Sequence, residues 1–221
     1  MNANNDDHPS AGTVPSPEYR RAGCGMRYEE GELKAGIDFS GARELLEPAT
    51  DGVLIRDAGQ EDAGAIAKLA NRAYRGDASR AGWTTEANLL GGQRTDRDMV
   101  LEMMDSAYFR LLWEGSTLLG SVQLVPIDET TAEIGMFAVE PSRQGEGIGN
   151  RLLKDAETVA HQQLSCEQLR MRVLHQRNDL IAYYHRRGYR ETGETAAFPE
   201  SERFGNPLVD DLWFVVLENP L

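Results

Sequence analysis

The sequence predicts a mixed α/β fold, a sheet covered by helices, and three observations carry that prediction. Short runs with strand character recur at 52–58, 108–113, 118–125, 132–139, 168–174 and 211–218. Between them, at 60–75, 96–106, 148–164 and 177–189, apolar residues repeat at helical spacing. The succession of strand 132–139, helix and strand 168–174 is a crossover unit, whose two strands run parallel.

Taken in order, "GVLIRDA" at 52–58 is the first strand. The helix at 60–75 puts Ile66, Leu69, Ala70 and Ala73 on one face and acids in its first turn, where the helix dipole favours them. The helix at 96–106 carries Met99, Val100, Met103 and Met104 on one side, which reads as core filler. "EGST" joins the next two strands as a hairpin. The helix at 148–164 turns Leu152, Leu153, Ala156, Val159 and Ala160 inward. In 168–174, Leu169, Met171 and Val173 alternate with Gln168, Arg170 and Arg172. Gly188 closes the last helix as its C-cap, 198–210 reads as a long loop, and 211–218 is the final strand. The expected order is therefore strand, two helices, three strands, helix, strand, helix and strand.

Residues 1–25, rich in Asn, Asp, Pro, Ser and Gly, read as a disordered tail. Residues 26–50 read as an extension with a short helix that Ser40 caps and Pro48 stops. Residues 51–221 form the remaining domain.

Of the 221 residues, 40% are hydrophobic and 27% charged, which suits a globular core. The net charge of -13 argues against nucleic acid as a partner and favours cationic small molecules or basic peptides. No run of about 18 apolar residues suggests a membrane span, and the N-terminus lacks the features of a secretory signal, so the cytoplasm is the expected location. Two cysteines, Cys24 and Cys166, and four scattered histidines form no metal-binding pattern.

The chemistry concentrates in "PSRQGEGIGNRLL" at 141–153, where three glycines fall in five positions at the start of a helix. A helix N-terminus leaves about four backbone N–H groups unpaired, and glycines let a ligand approach them. The combination is a seat for phosphate. A Walker loop needs Gly-Lys-Ser/Thr at its end, whereas this one ends Gly149-Asn150-Arg151. A dinucleotide fingerprint needs glycine at 150. The pattern Q/R-x-x-G-x-G/A is met by Gln144, Gly147 and Gly149.

With "MFAVEPSRQGEGIGNRLLKDAE" before it and "RVLHQRNDLIAYYHRRGYRETGE" after it, the chain resembles the GNAT N-acyltransferase superfamily over about residues 53–217. The resemblance implies a mostly antiparallel twisted sheet with helices on both faces and one parallel pair splayed to hold an acyl-CoA. It implies acetyl-CoA, or another short acyl-CoA, as donor, an amine as acceptor and no metal. A small-molecule amine or basic peptide would accept the acetyl group, and a homodimer is compatible with the family.

On the donor side, the resemblance assigns Arg143, Gln144, Gly145, Gly147, Ile148, Gly149 and Asn150 to the diphosphate. It assigns the strand end Phe137, Ala138 and Val139 to the pantetheine arm by backbone pairing, and Asn178 to the same arm. Tyr184, three residues before the Gly-aromatic pair at 188–189, is the expected proton donor to the leaving thiolate. Glu133, which strict alternation places on the face of Phe137 and Val139, is the candidate base. Tyr74, Trp83, Thr84 and Phe198 are candidates for the acceptor pocket. The competing reading is a non-catalytic acyl-CoA-binding sensor or interaction module on the same fold.

Overall fold

A computed structural model of the chain describes residues 26–29, 32–35, 52–199 and 201–221. The expected tail at 1–25 and the short helix around 40–48 lie outside the described residues. Met26–Glu29 and Glu32–Ala35 pair as a small antiparallel hairpin of their own.

Seven strands make the main sheet: β1 (Val53–Asp57), β2 (Tyr108–Glu114), β3 (Thr117–Pro126), β4 (Thr131–Val139), β5 (Gln168–Leu174), β6 (Arg190–Ala197) and β7 (Trp213–Pro220). Their spatial order is β1-β2-β3-β4-β5-β7-β6. Every pairing is antiparallel except β4 with β5, as the crossover requires. Four helices of eight residues or more accompany them among the described residues, α1 (Ala63–Tyr74), α2 (Arg97–Met104), α3 (Ile148–Gln162) and α4 (Asn178–His185), with a single helical turn at Gly76–Ser79. None of the described helices is long and apolar enough to cross a membrane.

Helices lie on both faces. On one face α3 presses Leu152, Leu153, Ala156, Val159 and Ala160 onto Leu112, Val122, Leu124, Leu169, Met171 and Leu217. On the other, Ala63, Ile66, Ala67 and Ala70 of α1 meet Val100, Phe109, Leu111 and Met136. The apolar stripes read from the sequence are these two cores. Met103 and Met104 pack against the second as filler. Local polar bonds set the helix starts. Asp96 caps α2 by accepting from the Met99 N–H at 2.8 Å, and Asp62 accepts from Gly59 N–H at 2.8 Å while holding Arg56. One buried arginine ties the layers together: Arg110 donates to Asp57 on β1 and to Asp155 on α3, each at 2.7 Å.

Three expectations need correction. A strand, β6, stands where none was read. Its sequence "RETGETAA" has almost no buried position because it is the outer edge of the sheet, so it carries no hydrophobic alternation. The long loop, spanning 198–212, contains a helical turn (Glu202–Phe204) and a two-residue bridge in which Asn206–Pro207 pairs with Leu90–Gly91. Finally, α4 ends at His185, and Gly188 closes the turn that follows it with its N–H on His185 O at 3.2 Å.

Candidate active site

The site begins where the parallel pair comes apart. The β4–β5 ladder runs only from Thr131 with Gln168 to Ile134 with Met171. Beyond it, β4 stays paired to β3 as far as Val139 and β5 to β7 as far as Leu174. The facing edges of 135–139 and 172–174 are left without each other as partners, which opens a wedge in the middle of the sheet.

A bulge accompanies the opening. Ser121 pairs with Ala138 but Gln123 pairs with Gly135, so β4 holds one extra residue there. Met136 takes φ +44, in the left-handed region that L residues rarely adopt. The extra residue reverses the alternation. Ala132 and Ile134 face the α3 core before it, whereas Val139, with Phe137 against it, faces that core after it. Met136 and Ala138 face α1. Glu133 therefore lies on the α1 face, opposite Phe137 and Val139, and not on their side as strict alternation had it.

The glycine loop closes one end of the wedge. Gly145 and Gly147 sit at φ +91 and +85, and a Cβ on either would meet nothing within 4 Å, so backbone conformation alone requires glycine there. Gly147 is the N-cap of α3, and the first helical bond runs from Arg151 N–H to Gly147 O at 3.0 Å. Among the described residues, no acceptor meets the backbone N–H groups of Gly145, Glu146, Gly147, Ile148, Gly149 and Asn150. Six adjacent donors thus converge at the positive end of a fifteen-residue helix.

A cavity of about 520 Å³ runs along the wedge, walled by this loop, by Phe137 and Val139 of β4, by α4, and by the segment at 83–84. Gln144 staples two of those walls. Its side chain accepts from Trp83 N–H at 2.9 Å and donates to Thr84 Oγ1 at 2.7 Å and Val139 O at 3.2 Å. Arg177 staples the same segment to the start of α4, donating to the carbonyls of Thr84 and Trp83, each at 3.0 Å. Tyr74 reaches in from the end of α1, and its hydroxyl donates to Phe137 O at 2.5 Å. Burial, with Glu86 adding to it, pushes the Tyr74 phenol up to about 12.

Two tyrosines of α4 line the cavity. Tyr184 is buried, only 6% exposed, and its hydroxyl has no hydrogen-bond partner among the described residues. Burial holds its phenol well above the ordinary value, with neighbouring tyrosines acting in the same direction. Tyr183 lies between the Trp83 ring, at 5.3 Å, and the Arg187 guanidinium, 3.4 Å from its centroid. Its position over the loop is shown by a Gly149 Cβ, which would come 3.6 Å from the Tyr183 hydroxyl oxygen.

The remaining sequence candidates divide. Arg143, Ile148 and Asn150 line the cavity, with Arg143 held by Glu114 at 2.9 Å and Glu146 at 2.8 Å. Asn178 is exposed at the first turn of α4 and does not line the cavity; the buried polar side chain beside it is Arg177. Ala138 is buried against α1. Glu133 is also outside the cavity lining, its carboxylate ion-paired to Arg172. Phe198 stacks on Phe214 and lines a separate pocket of about 340 Å³ under the late loop. The sequence reading missed Leu180, Arg186 and Arg187 as wall residues. Helical spacing held the signal, since Leu180, Tyr183, Tyr184 and Arg187 recur at intervals of three, four and seven.

A wedge of this kind above a glycine loop defines a class. A model of the acetyltransferase (GNAT) family matches residues 65–189, and the chain belongs to that family. Solved structures share the fold at low sequence identity. A putative acetyltransferase, yncA, from Salmonella typhimurium with its cofactor acetyl-CoA is 18% identical with a TM-score of 0.57, covering 77% of this chain and 94% of that one. A GNAT family acetyltransferase from Elizabethkingia anophelis with acetyl-CoA bound is 19% identical, TM-score 0.54, covering 77% and 99%. A chimera of the spermidine N-acetyltransferase SpeG from Vibrio cholerae with hSSAT is 15% identical, TM-score 0.54, covering 76% and 95%. Comparison with curated proteins found no match.

Proposed function

We propose that this acetyltransferase moves an acetyl group from acetyl-CoA to a primary amine by direct attack within a ternary complex. The observation that carries the proposal is the run of six unpartnered N–H groups at 145–150, beside a wedge where β4 and β5 no longer pair with each other. Gly145, Glu146 and Gly147 are exposed, so the N–H groups of this helix start are open to a ligand from outside. A diphosphate suits the loop, and an extended amide chain suits the wedge, adding to the open edge of β4 as a strand would. Arg186 and Arg187, on the same wall, supply positive charge toward phosphates.

The chain's own groups then divide the chemistry. The fixed wedge aligns donor and amine, which contributes much of the rate. Glu133, on the α1 face, takes the amine proton through an intervening water, since it does not line the donor cavity. A backbone N–H on the freed stretch at 137–139 stabilises the oxyanion of the tetrahedral intermediate. Tyr184 donates a hydrogen bond, and then its proton, to the departing thiolate. Direct attack is favoured because Cys166 is 1% exposed and packed in the α3 core, away from the cavity.

Thermal unfolding tests the donor reading. At a hundredfold excess over Kd a ligand adds about 2.7 kcal/mol, or roughly 5–10 °C for a chain of this size. Acetyl-CoA should give such a shift, and Gly147→Val should remove it. No shift in the unmutated protein overturns the reading. A full shift without CoA release from any amine would favour the sensor reading instead.

A further inference from the structure

Arg94 is one of the few described arginines for which no acidic partner is found. Acids outnumber bases in this chain, 36 to 23, and most of the described arginines hold a carboxylate, among them Arg56, Arg75, Arg110, Arg143, Arg170, Arg172 and Arg177. Arg94 has no acidic partner among the described residues. Among those residues it meets an aromatic face: the guanidinium lies over the Tyr74 ring, 5.8 Å from the centroid.

The backbone beneath it is fixed. Asn71 of α1 accepts from Arg94 N–H at 2.6 Å and donates to Thr95 O at 2.7 Å, a two-point clamp on consecutive residues. Thr95 itself is 1% exposed. Arg94 is thus partly buried, carried on an anchored main chain and stacked on the tyrosine whose hydroxyl binds Phe137 O at the mouth of the wedge. Glu86, the acid acting most on the Tyr74 phenol, is bound to Arg75 at 2.6 Å. The four charged groups that act most strongly on the Tyr74 phenol are one acid, Glu86, and three arginines, Arg94, Arg177 and Arg75. Arg75 is bound to Glu86 and Arg177 to Asp179, so of these three arginines Arg94 alone has no acid partner among the described residues.

That arrangement suits one class of acceptor and opposes another. A polyamine would bring a second cation toward an unpaired guanidinium. A compact acceptor with a carboxylate beside its amine would give Arg94 the two parallel hydrogen bonds that guanidinium geometry offers. Tyr74, over which the guanidinium lies, is itself a wall residue of the wedge cavity. We infer that the acceptor is an amino acid, recognised through its carboxylate by Arg94 against the Tyr74 ring. The inference rests on the donor reading above and narrows the acceptor from amines in general to those bearing a carboxylate. The other described arginines without an acid partner do not compete for this role. Arg186 and Arg187 line the donor cavity, and Arg190 donates to the carbonyls of His185 and Tyr189.

The test is CoA release from acetyl-CoA with a panel that pairs each common L-amino acid with the amine lacking its carboxylate, with spermidine added. At least one amino acid should be acetylated, with kcat/KM exceeding that of its decarboxylated partner by about tenfold or more, the scale of a charge-assisted hydrogen-bond pair. Arg94→Ala should abolish that preference by raising the amino-acid KM and leave the decarboxylated amine within about twofold. Arg94→Lys, which keeps the charge and loses the bidentate geometry, should fall between them. The thermal shift with acetyl-CoA, measured on each variant, reports folding and donor binding separately. A normal shift with spermidine or the decarboxylated amines preferred overturns the inference. So does a normal shift with no amino acid used, or with the preference unchanged in Arg94→Ala. Those results leave the donor reading intact, whereas loss of the shift in the unmutated protein removes both.

Discussion

Tyr184 shows how one residue's surroundings set its chemistry. Burial keeps its phenol above the ordinary value of about 10, so the hydroxyl stays protonated throughout any practical assay range. A phenol held that high is a weaker acid than a thiol of about 8.5. In the proposed mechanism its main contribution is then a hydrogen bond to the developing thiolate, with proton transfer completed as the product forms. The expected pH profile of kcat/KM rises as the acceptor and its base lose protons and shows no falling limb below about pH 10. Tyr184→Phe should lower kcat by about 10²-fold or more, the usual scale for a positioned acid. It should leave the acetyl-CoA thermal shift within a degree or so and the shape of the rising limb unchanged. A pH-rate series on both proteins checks all three. The place of Tyr184 on the cavity wall was legible in the sequence because its spacing to Gly188 is local. The outward turn of Asn178 and the inward turn of Arg177 were not, because helix phase at a first turn depends on what the preceding loop packs against.

Among the elements, the glycine loop and the strap at 83–84 act as a pair joined by Gln144. In the proposed complex the backbone of Gln144 leads into the donor seat, while its side chain holds the segment at 83–84. Gln144→Ala leaves the loop's N–H groups in place and frees Trp83 and Thr84. The expected outcome is a several-fold rise in acceptor KM with the acetyl-CoA shift largely kept, read from paired steady-state and thermal measurements. An equal loss of both would show that the staple shapes the donor seat as well. The loop itself was readable because three glycines before an apolar helix pattern have few other uses. The bulge in β4 was not. No glycine or proline occupies Met136, and the left-handed φ there is imposed by pairing with β3 on one side and the opening toward β5 on the other. A one-residue slip moves side chains to the opposite face, which is why Glu133 parts from Phe137 and Val139. The edge strand β6 was hidden for a different reason, since without a buried face a strand leaves no hydrophobic rhythm to read.

For the molecule as a whole, two cores on opposite faces of one sheet keep the wedge open. The α3 core is the larger, and Leu152 at its centre is fully buried against β3, its methyl 3.2 Å from where a Gly120 Cβ would stand. Leu152→Ala should cost about 2–5 kcal/mol, measured by denaturant unfolding. Acetyl-CoA should restore part of that loss, because the ligand binds only the folded wedge. Net charge also takes on a different meaning at this scale. The overall value of -13 pointed toward cationic acceptors, whereas the inference from Arg94 rests on a single guanidinium without an acid partner among the described residues, lying over the Tyr74 ring.

By itself the sequence determined the two apolar stripes, the parallel crossover and the glycine loop, because each depends on spacing within a few residues or on a single connection. The tertiary structure alone decided which backbone groups go unpaired, which face Glu133 occupies and which arginine is left without an acid. Those properties belong to pairs of residues far apart in the chain, such as Asn71 with Arg94 or Gln144 with Trp83. Local periodicity cannot report a contact that exists only once the sheet has opened and its edges have chosen their partners.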